Sequence, residues 1–147
     1  LPDLIQSEVT SCFRKEVDVR TGKVFASLDE YQKALSDWRA MSVPSVGLFD
    51  LATAYSVYRS SREAAAGLRS DKVAHCHVGC LIGLATSLKV VDYVGWLKEE
   101  RDLTDCTTAT LFEEDDFVAT SRGARLGARD EAECVSLCRT EYARRRR

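Results

Sequence analysis

The sequence predicts a mainly α fold of five to six helices behind a small N-terminal β-hairpin, stapled by disulfides. Three observations carry this expectation. Ser27-Leu28-Asp29-Glu30 and Thr110-Leu111-Phe112-Glu113 are capping-box patterns, in which a hydroxyl and a carboxylate satisfy the free amides of a first helical turn. Apolar residues behind such starts recur at spacings of three and four, as one buried helix face requires. Two cysteine pairs, Cys76 with Cys80 and Cys134 with Cys138, share a spacing that stacks both sulfurs of a pair on one face of a helix.

Taken in order, residues 8–25 lack helical periodicity. Val17, Val19, Val24 and Phe25 flank Arg20-Thr21-Gly22-Lys23, which suits a hairpin with Gly22 at a positive φ. A helix then runs from Ser27 to about Met41 with Leu28, Tyr31, Leu35 and Trp38 on its buried stripe, and Ser42-Val43-Pro44-Ser45 breaks it. A longer helix over 46–68 carries Leu48, Leu51, Ala52, Tyr55 and Tyr58 or Arg59 on one side. Ser70 or Asp71 caps the central helix, predicted to reach about residue 88. Gly79 and Gly83 leave a bare strip along it on which a second helix can approach closely.

The apolar segment 90–97 follows, as a continuation or as a separate helix, and Lys98-Glu99-Glu100-Arg101-Asp102 reads as a charged, exposed turn. Residues 104–110 form a polar loop. Four acids, Glu113-Glu114-Asp115-Asp116, open the next helix, where the helix dipole favours negative charge. Phe112, Val118 and Ala119 are expected to face inward there, and Gly123 and Gly127 to weaken and end it. Asp130 caps the last helix, on which Cys134, Leu137, Cys138 and Tyr142 share a face.

With 147 residues the chain fits a single domain, divided as an N-terminal segment over 1–26, a helical core over 27–143 and a basic tail over 144–147. A composition 45% hydrophobic and 30% charged excludes a disordered chain. The net charge of -2 argues against nucleic acid as a partner, because neutralising a phosphate backbone needs a basic face. The local exception is Arg144-Arg145-Arg146-Arg147, suited to phosphates or an acidic partner. The most apolar window, 76–88, is too short to span a bilayer, so no stable membrane span is expected. Six cysteines, an even number, point to an oxidising destination, secreted or periplasmic. The start at Leu1-Pro2-Asp3, with neither methionine nor a basic-then-apolar leader, reads as a mature or excised chain.

The paired cysteines have two chemical readings. Two helices stapled by two bridges would join Cys76 and Cys80 to Cys134 and Cys138, leaving Cys12 to pair with Cys106. Within one helix the side-chain vectors run parallel, so a Cys76–Cys80 bridge is disfavoured. Alternatively, four thiolates, or a set drawn from His75, His77, Cys76 and Cys80, would close around structural zinc. The disulfide reading uses all six sulfurs, and no cofactor or metal site is expected with it.

His75 is the candidate for proton transfer, since a histidine titrates near neutrality, and Asp102, Glu113, Glu114, Asp115 and Asp116 all stand open as acid partners. His75 and His77 face different ways on a helix and do not easily share one role; in the plainer reading one packs in the core and the other is solvated. Gly-x-Ser-x-Gly, phosphate-loop and His-Glu-x-x-His motifs do not occur.

The run Lys72-Val73-Ala74-His75-Cys76 with Cys80, then Trp96 to Asp102, then Asp116-Phe117-Val118-Ala119-Thr120 with Gly123, then Cys134 and Cys138, resembles small domains of secreted bacterial effectors and of polymorphic-toxin C-termini. These include domains associated with RHS repeats and type VI secretion, and the resemblance covers roughly residues 70–140. It implies a virulence domain delivered to a neighbouring or host cell, with His75 as the family histidine and Asp102 and Asp116 at its acidic positions. The implied activity is hydrolysis or, in its place, binding or membrane disruption; the competing reading is a non-enzymatic, disulfide-stapled module that binds a protein, whether an immunity protein, a chaperone or a target.

Overall fold

A computed structural model describes residues 28–41, 43–68, 70–104 and 114–143. Among these residues the protein is six α-helices and no strand: α1 (Leu28–Ala40), α2 (Leu48–Ala66), α3 (Asp71–Ala85), α4 (Leu88–Thr104), α5 (Glu114–Ala124) and α6 (Glu131–Ala143). The hairpin expected near Gly22, the pairing of Cys12 with Cys106, the placement of Phe112 and the arginine tail lie outside the described residues. The chain divides into two compact units, one of Leu1–Ser42 with Leu97–Glu113 and the other of Val43–Trp96 with Glu114–Arg147.

In the first unit, α1 buries Tyr31, Leu35 and Trp38, the stripe that its spacing predicts. The segment 98–102 is not a turn. It is the last part of α4, where Glu99 is buried and Glu100 accepts from Arg39 Nε at 3.1 Å. A run of charges reads as a turn in the sequence because nothing local marks which of its members will find partners.

The second unit is built around α3. Ser70 is its N-cap, its hydroxyl accepting from Val73 N–H at 3.4 Å. The helix stops at Ala85: Thr86 leaves helical geometry while its hydroxyl donates to the Ile82 carbonyl, and Ser87 Oγ accepts from Val90 N–H to start α4. The apolar segment 90–97 therefore opens a separate helix. On one side of α3, Ile82 packs with Ala54 of α2 and with Val90 and Val91 of α4. On another, Val73 and Cys76 pack with Ala119 of α5 and with Cys138 and Tyr142 of α6.

Two features hold that second cluster. Cys76 is bonded to Cys138 and Cys80 to Cys134, with Cα atoms 5.7 Å apart in each pair, so the four sulfurs are spent in disulfides. They cannot be the thiolate ligands of a zinc site, which overturns that alternative for these residues.

The other feature is the contact of α3 with α5. A methyl at Gly79 would sit 1.9 Å from the Thr120 carbonyl oxygen, and one at Gly123 would sit 1.9 Å from that of Cys76. Each helix thus lays a glycine against the other's backbone, close enough for Cα–H···O contacts. The strip predicted at Gly79 is used in this way, and Gly83 extends it against Ala124. Gly123, expected to weaken α5, seats it against α3. Gly127, with φ of 77°, takes the left-handed turn beyond the helix end.

Val118 is exposed, against expectation, because Asp116, Ala119, Thr120 and Gly123 form the inner face of α5. Asp130 caps α6, its carboxylate accepting from Glu133 N–H at 2.9 Å.

Candidate functional site

The first turn of α3 and the first turn of α5 meet at a cluster of four charged or titratable side chains. Asp71, Lys72 and His75 come from α3, and Asp116 comes from α5. Residues 71 and 75 are one turn apart and so share a face. The interlocked glycines Gly79 and Gly123 bring the two backbones close enough for short aspartates to reach across.

The contacts are divided with some regularity. His75 Nε2 lies 3.3 Å from Asp116 Oδ2 and 3.5 Å from Asp71 Oδ1. The other oxygens hold the lysine: Lys72 Nζ pairs with Asp116 Oδ1 and, at 3.2 Å, with Asp71 Oδ2. Each carboxylate therefore spans the gap between one imidazole nitrogen and one ammonium group. Exposure grades across the cluster, from 7% for the Asp116 side chain through 18% for His75 and 27% for Lys72 to 63% for Asp71. One wall is core and the other is open to solvent.

The two acids are driven apart. Burial lifts the Asp116 carboxyl to about 6, opposed by Lys72 and His75 and reinforced by the nearby charge of Asp71. Asp71 is held well below the usual carboxylate range, chiefly by its contact with His75. A buried acid poised near neutrality beside an ionised, solvent-facing one is an arrangement suited to proton handling.

Of the residues singled out from the sequence, His75 and Asp116 meet here. Asp102 lies in α4, in the part assigned to the first unit, and its side chain falls outside the described residues. Asp71 and Lys72 were not picked out as site residues, although the i, i+4 spacing of Asp71 and His75 was a legible signal. His77 is a core residue, 1% exposed, with Nδ1 lacking a hydrogen-bond partner and its pKa lowered by burial against the opposing charge of Glu131.

A separate cavity of about 420 Å³ is lined by Leu68, Ser70, Val73, Arg139 and Tyr142 among others, and by none of the four cluster residues. No helix among the described residues is long and apolar enough to cross a membrane. Compared with known proteins, the chain matches no family model, no curated protein and no solved structure.

Proposed function

We propose that the chain is a secreted bacterial effector or toxin domain that acts on a neighbouring or host cell as a hydrolase, with His75 and Asp116 at its centre. The observation that carries this reading is the 3.3 Å approach of His75 Nε2 to a nearly buried aspartate at a partly open surface. A carboxylate beside one imidazole nitrogen fixes the ring and favours the charge it gains on taking a proton at the other. Here two carboxylates flank Nε2, so a proton accepted at Nδ1 leaves the ring between two acids. Lys72 keeps both acids in place. The two disulfides in the same unit support an oxidising destination for the working protein.

The test is growth of a bacterial host that makes the chain with and without a periplasmic leader, beside His75→Ala and Asp116→Asn variants whose disulfides and helicity are intact. The expected result is growth arrest in at least one compartment that both variants relieve. A chain harmless in both compartments, or equally toxic with His75→Ala, overturns the reading.

A second reading, a non-enzymatic module that binds a partner protein, is favoured by the start of α2. Leu48 and Phe49 are 85% and 84% exposed there, and Tyr55 is 60% exposed, apolar groups of the kind that a partner's surface covers. In that case Phe49→Ser would relieve toxicity and His75→Ala would not.

A further inference from the structure

Hydrogen bonding alone is a poor account of the cluster's geometry. A charge-assisted N–H···O bond settles at about 2.7–2.9 Å, and a ring nitrogen offers a single proton in one direction. Both carboxylates nevertheless converge on the same Nε2, at 3.3 and 3.5 Å. Those separations match the edge of a coordination shell: four ligands about 2.0–2.1 Å from one zinc ion are about 3.3 Å from one another. The three ligand atoms, one from each residue, all lie within 4.8 Å of one another. Their donor chemistry, one imidazole and two carboxylates, is that of a divalent first-row cation.

Lys72 pairs with Asp116 Oδ1 and Asp71 Oδ2, while the other oxygen of each carboxylate, Asp116 Oδ2 and Asp71 Oδ1, lies beside the imidazole. An outer partner that orients a ligating carboxylate and offsets part of its charge is the usual support of a metal site.

We propose that Asp71 Oδ1, His75 Nε2 and Asp116 Oδ2 form a three-ligand site for a divalent cation of the zinc class, with the remaining position open on the side of exposed Asp71. It is distinct from the four-thiolate site that the disulfides exclude. For its chemistry, an activated water with His75 then a ligand and not the proton acceptor, it rests on the hydrolase reading, but for its binding it does not.

The test uses the full oxidised chain, titrated with zinc against a chromophoric chelator and in parallel with magnesium, beside Asp71→Asn and His75→Ala. Asp71 is 63% exposed, so Asp71→Asn leaves the fold intact, which far-UV circular dichroism checks. The expected result is one zinc per chain, weakened about 100-fold or more by either variant, beyond the loss that follows removal of an outer partner. No stoichiometric zinc, or zinc whose affinity Asp71→Asn leaves unchanged, overturns the site. Magnesium binding where zinc does not bind overturns the assigned class. Zinc binding by a chain that is harmless in the growth assay upholds the site and sinks the hydrolase reading. Toxicity dependent on His75 without zinc binding does the reverse.

Discussion

Two regions of the second unit, both helical, are held in opposite ways. Where α3 meets α5 and α6, glycines interlock backbone to backbone and two disulfides tie the helices covalently. At the start of α2, by contrast, Leu48 and Phe49 stand in solvent, and the helix anchors further along through Ala54, Ser61 and Ala65. Side-chain hydrophobicity therefore does not locate the strongest junction here. Residues with little or no side chain do, because they let main chains approach and leave sulfur to set the spacing.

The largest test of that contrast removes the bridges. The outer bridge closes a sequence separation of 62 and the inner one 54, but once one is formed the other closes only a short ring. In the chain-entropy picture, losing either alone costs about 3 kcal/mol and losing both costs about 7 kcal/mol. Chemical denaturation should show Cys76→Ser/Cys138→Ser milder than half of the fourfold variant, and simple additivity would refute the nested picture.

Next comes Gly79→Ala or Gly123→Ala. A methyl 1.9 Å from a carbonyl oxygen forces the helices apart, so either change should cost about 3 kcal/mol despite a gain in helix propensity of about 1 kcal/mol. A neutral or raised melting temperature would show that the approach is slack.

A smaller effect concerns His77, whose folded pKa lies below the ordinary 6.5 because burial disfavours its charge. Its unfolded form takes a proton first, so stability is whole above about 6.5 and falls as pH drops below it. His77→Leu should flatten that loss, read from denaturation midpoints across pH 5–7.

Smallest of all, Leu48→Ser and Phe49→Ser should each shift stability by no more than about 0.5 kcal/mol. A large loss would mean that the start of α2 is not the loose region.

The helices themselves were legible in the sequence, since caps and periodicity are local. Ser70, Asp130 and the stripe of Tyr31, Leu35 and Trp38 all act as their spacing indicates. The joining of the cysteine pairs was legible as well, because i, i+4 sulfurs on two helices leave few partners. What escaped depends on where helices are placed. Leu48 and Tyr55 form a good apolar side, yet the buried side of α2 runs through small residues. Asp116 is marked out through the resemblance and not through its own pattern, since it sits among four consecutive acids that look alike; the seating of Gly123 on Cys76 brings its helix against that of His75. Asp71 was hidden by its other role at the start of α3.

The order of the two bridges has a consequence of its own. The first cysteine of α3 pairs with the last of α6, and the last with the first. That pattern fits only helices of opposed direction; parallel ones would join 76 with 134 and 80 with 138. The cystine pattern is therefore a chemical record of topology. Once 76–138 or 80–134 has formed, the second rung closes only if α6 has come to rest running against α3, and a chain docked the wrong way round shows either leftover thiols or the 76–134 and 80–138 pairing.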